Sequence, residues 1–213
     1  MKSTISKKLF LFLFGLVLLS SCSKDNPQEQ PQDTYVSPAA EFENGTVYDI
    51  VDNSDVSSSL NVTASGKIKD ASKVFIDLNI YHSYLNDITA ELIAPDGTST
   101  AIIKRKTSSD LNNDYIADYV LLAANTLSFN SLFIEPSPYA NPLLAGNYGQ
   151  LLGATSQEPF AVVKIPLGTF LNGKNVAGTW TMKIYDSQSI HTGKLHKFKI
   201  RFGAGSLTGV NIN

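Results

Sequence analysis

The sequence predicts an all-β fold, a β-sandwich, and three observations carry that reading. Apolar residues recur at period two in short runs: Val74, Ile76, Leu78 and Ile80; Trp180, Met182 and Ile184; Phe198, Ile200 and Phe202. No window reads as a long amphipathic helix. Turn chemistry separates the runs, as at Pro95-Asp96-Gly97, where proline fixes φ, aspartate bonds its own backbone and glycine accepts positive φ.

The front of the chain is not part of that sandwich. Of its 213 residues, the first few carry Lys2, Lys7 and Lys8 and no acid, and Leu9–Leu19 is an apolar run broken only by Gly15. A basic start, a short apolar core and small residues before a cut describe a secretory signal over residues 1–21. The run is shorter than the ~20 apolar residues of a membrane-spanning helix. Leu19-Ser20-Ser21-Cys22 resembles the bacterial lipobox, in which the peptidase cuts before a cysteine that carries lipid. Cys22 is the only cysteine, so no disulfide is available and the domain must hold through its core. Two or three acyl chains on Cys22 suffice for stable anchoring, where one chain is marginal. Loss of residues 1–21 leaves 14 basic and 19 acidic residues, a net charge near −5 with His neutral. That balance speaks against nucleic acid, which demands clustered Lys and Arg.

Residues 22–44 read as the lipidated cysteine and a tether, with Pro27, Pro31 and Pro38 and hardly an aliphatic residue before Val36. Such a segment buries too little apolar area to offset its ordering entropy. Ser23-Lys24-Asp25 resembles the lysine-plus-acid signal that sends lipoproteins of Bacteroidetes-type bacteria to the cell surface. The expected location is the bacterial envelope, as an outer-membrane lipoprotein.

The folded part is expected over residues 45–203, large enough that folding buries roughly 70% of the unfolded chain's surface. Val47–Val51 is a first strand ending at Asp52-Asn53-Ser54-Asp55, and Leu60–Ala64 alternates before a turn at Ser65-Gly66-Lys67. Val74–Ile80 is the cleanest half-buried strand, with Lys73, Asp77 and Asn79 on its other face. Ile88–Ile93 is expected to return beside it, and Thr100–Ile103 follows the Pro-Asp-Gly turn. Lys104–Asn113 is a loop, Asp114–Asn125 reads equally as strand or helical turn, and Asn130–Thr155 is irregular, with three prolines and three glycines. Phe160–Ile165 is a strand, and Leu167–Lys174 a turn region. The Trp180 strand and the Phe198–Phe202 strand close the domain, the latter with Lys197, Lys199 and Arg201 outward. Residues 204–213 read as a frayed tail.

Several of these segments together resemble the proprotein convertase P-domain, or P/Homo B domain. Ile80-Tyr-His82-Ser-Tyr84-Leu-Asn-Asp87 with Glu91-Leu-Ile-Ala-Pro95-Asp-Gly-Thr98 is similar to its central signature. Leu167-Gly-Thr-Phe170-Leu-Asn-Gly173, Gly178-Thr-Trp180-Thr-Met-Lys-Ile-Tyr-Asp186 and Thr192-Gly-Lys-Leu195 resemble its closing motifs, and Asp52-Asn53 its opening pair. The resemblance implies a jelly-roll-like, galactose-binding-like β-sandwich of about eight strands that holds no catalytic residues and packs on a subtilisin-like protease. Three departures stand out: Lys106–Asp114 replaces a Gly-rich stretch, Phe198 replaces a tryptophan, and His191 stands where an acid is usual.

Candidate chemistry is sparse. A hydrolase needs a nucleophile, a base and a group that orients the base. The chain has three histidines, His82, His191 and His196, and no Gly-x-Ser-x-Gly. The expectation is no enzyme, with His82 as a polar cap on the sandwich rim. His191 and His196 are badly spaced for zinc. Calcium takes loop oxygens, so Asp87, Asp96, Asp118 and Asp186 are the candidate ligands of a structural Ca²⁺, although aspartate caps turns without any metal. Tyr115, Tyr119, Tyr139 and Tyr148 form a candidate platform for a glycan, on fold analogy. The expected role is thus a lipid-anchored, non-catalytic module for an exported protease or other envelope protein, with carbohydrate binding as the alternative.

Overall fold

The computed structural model describes residues 37–84, 87–104, 126–133, 145–152 and 163–209. In chain order the elements are β1 (Ala40–Asn44), β2 (Tyr48–Ile50), β3 (Ser54–Val62), β4 (Lys67–Ile68), a 3-10 turn (Ala71–Lys73), β5 (Val74–His82), β6 (Ile88–Ile93), β7 (Ser99–Ile103), β8 (Thr126–Phe129), β9 (Gly146–Tyr148), α1 (Leu167–Leu171), β10 (Gly178–Asp186), β11 (Gly193–Phe202) and β12 (Leu207–Thr208). Eight of these strands have four residues or more, so the all-β sandwich of about eight strands stands.

One sheet runs β1–β11–β5–β8–β9, with β2 also on β11; the other runs β3–β10–β6–β7. Pairing is antiparallel except between β8 and β9. The period-two rows face inward as read: Val74, Ile76, Leu78 and Ile80 from one sheet and Trp180, Met182 and Ile184 from the other are fully buried. Phe198, Ile200 and Phe202 extend the same layer. Trp180 keeps its indole N–H satisfied by donating to the Val176 carbonyl at 2.9 Å, which lets so large a ring sit in the core at no polar cost.

Four expectations need correction. Ile88–Ile93 does not return beside Val74–Ile80: β6 pairs with β10 and β7, and β5 with β11 and β8. Period two sets which face a strand buries, not which neighbour it bonds, so the crossing between sheets left no mark in the pattern. The domain begins before residue 45. β1 pairs with β11 along Ala40–Asn44, and Phe42 packs edge-on against Phe202. One aromatic between two glutamates was too little apolar signal. It also ends after residue 203: Leu207 is buried, β12 pairs with β4, and buried Ser37 accepts from the Leu207 amide at 3.1 Å. Finally, the turn region Leu167–Leu171 is one helical turn. Its Leu167, Phe170 and Leu171 are buried, the i, i+3, i+4 spacing of a helix face. The expected Phe160–Ile165 strand lies partly outside the described residues, and its described end, 163–165, is not strand.

Candidate functional site

Strand parity delivers two polar side chains to one end of the core. Counting inward positions from Val74 by twos reaches His82, and counting from Trp180 by twos reaches Asp186. Both side chains are fully buried, one from each sheet. His82 Nε2 lies 3.1 Å from Asp186 Oδ2. Its Nδ1 lies 3.2 Å from the Tyr84 amide nitrogen and 2.8 Å from the Tyr84 carbonyl, so it accepts from the amide when unprotonated and donates to the carbonyl when protonated. The second Asp186 oxygen accepts from the Gln188 amide at 3.1 Å. A buried carboxylate and imidazole are costly alone and are stabilised here because each ring nitrogen and each Asp186 oxygen has a hydrogen-bond partner. His82 is therefore not on the rim but inside it.

Asp87 joins this end because Ile88 is in register with Asp186. Its carboxyl, 5% exposed, lies 2.9 Å from His191 Nδ1, and the Tyr84 ring lies 5.1 Å from the His191 ring. Burial pushes the Asp87 carboxyl above its ordinary range, and the His191 contact offsets part of that. The loop after β10 is tied down by the turn between β2 and β3: Asp52 Oδ2 accepts from the Ile190 amide at 2.8 Å, and the Asn53 amide donates to the Gln188 carbonyl at 3.3 Å. Those ties hold Ile190 at φ +94° and 84% exposed, an unusual state for a β-branched residue. Gly193 closes the end. A Cβ there would meet the Tyr81 carbonyl at 2.2 Å and the His82 ring at 2.6 Å, so only glycine fits.

The opposite end holds Asp96. Its carboxyl takes the Lys174 ammonium at 2.7 Å and the Thr98 hydroxyl and amide at 2.6 and 3.0 Å, which lower its pKa to about 2. Gly178, at φ +115°, lets the chain pass Pro95, whose Cβ a side chain there would meet at 3.0 Å.

The three described candidate aspartates therefore do not converge on one site. Asp87 and Asp186 share one end of β6, Asp96 caps the other, and Asp118 lies outside the described residues, as do Cys22, Tyr115, Tyr119 and Tyr139. Tyr148 packs partly buried against the core. Among the described residues no three His, Cys, Asp or Glu side chains are grouped to hold a metal. The Asp87–Asp186 pair also fits Ca²⁺ poorly, since both Asp186 oxygens and one Asp87 oxygen already take N–H donors or imidazoles. Nor does the pair suit base catalysis: the ring of His82 is sealed from solvent and both its nitrogens are engaged. What this end does chemically is clamp the two sheets. Sequence reasoning had each residue but not the pairing of His82 with Asp186 or the fit of Gly193 against His82. Parity counted two residues past Ile80 and Ile184 was the available signal.

A family model described as the proprotein convertase P-domain matches residues 71–127 and 155–202. No curated protein matches the chain. Among solved structures, a serine protease of Aeromonas sobria is similar at TM-score 0.43 and 15% identity, covering 80% of this chain and 27% of that one. The Aeromonas sobria complex of serine protease and chaperone is similar at TM-score 0.43 and 15% identity, with 82% and 27% covered. The chain thus spans about a quarter of those proteins' length.

Proposed function

Because the chain belongs to the proprotein convertase P-domain family, matched within residues 71–202, we propose that it is a non-catalytic module that binds and stabilises an exported protein, such as a subtilisin-like protease, at a bacterial envelope. The observation that carries this reading is the clamp. The motif segments around His82, Asp186 and Gly193 are spent on joining two sheets into a rigid body, and His82 has no nitrogen left for chemistry. Ile190, held exposed on a constrained loop at the same end, supports a role in contact with another protein. Cys22 supplies the anchor through lipid, with the acyl chains in the outer membrane.

Affinity isolation of the full-length, membrane-extracted chain tests the module. A co-purified exported protease whose melting temperature rises in its presence is the expected result. Casein hydrolysis by the isolated chain, or a protease equally stable without it, overturns the reading. For the anchor, radiolabelled palmitate is expected to enter the wild-type chain and not Cys22→Ala. Equal labelling of both removes lipidation at this residue.

A further inference from the structure

The sheet β3–β10–β6–β7 ends on β3, and the far edge of that strand is open along its first half. β3 bonds only β10, in an unbroken register from Ser54 against Asp186 to Val62 against Gly178. The Ser59 carbonyl, which accepts from Asn44 Nδ2 of β1 at 2.8 Å, shows which positions face away from β10. Backbone groups alternate in direction along a strand, so Asp55 and Ser57 face the same way as Ser59. Among the described residues nothing bonds the outward N–H and C=O groups of Asp55 and Ser57. Sheets commonly blunt such an edge with lysine, proline or a bulge. Ser54-Asp55-Val56-Ser57-Ser58 has none of these. The open stretch has definite limits: Asn53, at φ +53°, turns the chain before it, and Asn44 occupies Ser59 after it.

This stretch is complementary to itself. Two copies laid antiparallel about Val56 put Asp55 of each opposite Ser57 of the other, Val56 opposite Val56, and Ser54 opposite Ser58. Asp55 and Ser57 are then the hydrogen-bonded pairs, each exchanging N–H and C=O with its opposite. On the outer face each serine hydroxyl can donate to the carboxylate across from it. Val56, half-buried and packed against the core, gains an apolar neighbour in a non-hydrogen-bonded pair, where side chains come closest. The neighbouring registers fail. Centring on Asp55 sets two carboxylates face to face. Centring on Ser57 needs the Ser59 carbonyl, which Asn44 holds. A slip that sets odd positions opposite even ones brings no bonding groups into line.

We propose that β3 pairs with β3 of a second copy of this chain, joining the two β3–β10–β6–β7 sheets into one across a two-fold axis at Val56. This goes beyond the reading as a module for another protein and does not rest on it, since it uses neither the clamp nor an exported partner.

Oxidative cross-linking of the full-length chain in detergent tests it. Cys22→Ala removes the only native thiol, so each further variant carries one. Val56→Cys would meet its own copy at a Cα separation of about 4.5 Å, within reach of a disulfide. It is expected to form disulfide-linked dimers at least tenfold faster than Asn61→Cys, on the same strand outside the open stretch. Asn61 is the more exposed of the two, so random collision would give the reverse order. Adding Ser57→Pro to Val56→Cys is expected to bring the rate down to that of Asn61→Cys. Its melting temperature is expected to stay that of its parent, because the lost N–H faces away from β10. Ser57→Asp, which keeps the N–H and sets a carboxylate opposite Asp55, is expected to slow cross-linking at least fivefold at low salt. Equal rates for Val56→Cys and Asn61→Cys overturn the proposal. So does a rate that neither Ser57 variant lowers.

Discussion

Asp87 and Asp96 flank the two ends of strand β6, and the fold drives their carboxyl groups in opposite directions. Asp87 is raised because burial removes water from it faster than His191 replaces that water. Asp96 is lowered to about 2 because it stays half in solvent and holds Lys174 and Thr98. Both were equal candidates as turn acids. The difference is where the strand ends. Asp87 immediately precedes β6, beside the buried terminus of β10, whereas Asp96 sits in the turn that leaves β6 for β7. One end of the sandwich is a sealed polar clamp and the other an exposed, charge-tied turn.

The sharpest way to break this comparison is to remove one partner at each end. Asp186→Ala leaves His82 buried without its acceptor, and breaking a buried pair costs about 3–5 kcal/mol. Lys174→Ala at the exposed end is expected to cost less than ~1 kcal/mol. Urea denaturation of both variants reads the contrast. Equal losses would mean that the clamp end is no more desolvated than the turn.

Glycine substitutions apply the same contrast to backbone. Gly193→Ala drives a methyl into the Tyr81 carbonyl and the His82 ring, an overpacking worth about 3 kcal/mol. Gly178→Ala meets Pro95 at 3.0 Å and carries positive φ, for about 1–2 kcal/mol. Thermal melts that rank Gly178→Ala as the worse variant would show that the clamp end yields more easily than its packing implies.

Much of this was legible in the chain. Each long period-two run became a strand with the predicted face inward, and Trp180 became core, because burial of one face writes itself into alternation. What alternation does not write is partnership. β5 and β6 adjoin in sequence yet belong to different sheets, and β1 escaped notice because pairing with β11, not apolar content, holds it. At the site, the motif segments contained His82, Asp186 and Thr192-Gly193, with His82 expected on the rim and Asp186 as a calcium candidate. Their reason is mutual and spatial: the glycine is there for the histidine ring and the aspartate for its Nε2. A single chain read in order shows each without the other.

Acid titration separates the two aspartates by sign. The folded pKa of Asp96 is below its ordinary 3.8, so its contribution is full above pH 3.8 and is lost as pH falls toward 2. Its exposure keeps that contribution below ~1 kcal/mol. Asp87, raised from 3.8, contributes in the opposite sense: it favours the folded state at low pH, and that preference fades as pH rises above 3.8 through its folded value. Asp96→Asn is therefore expected to flatten the acid limb of stability between pH 4 and 2, and Asp87→Asn to flatten the slope above it. Chemical denaturation at stepped pH measures both. Parallel shifts in the two variants would mean that both carboxyls are solvated alike.

The smallest expected effect is that of calcium. Ca²⁺ stabilises a fold in proportion to RT ln(1 + [Ca²⁺]/Kd), so a site at the clamp would raise the melting temperature with added ion and lower it with chelator. The clamp's carboxylates face imidazoles and an amide, and a calcium ion would have to displace His191 from Asp87 or His82 from Asp186 before finding its oxygens. Displacing His82 would leave a sealed ring with no acceptor, which costs more than a loosely held ion returns. Melts with millimolar Ca²⁺ and with EGTA are thus expected to coincide. A rise with Ca²⁺ that Asp87→Asn abolishes and Asp96→Asn retains would show that the half-exposed His191 swings away, and that the clamp opens from its Asp87 side rather than from its core.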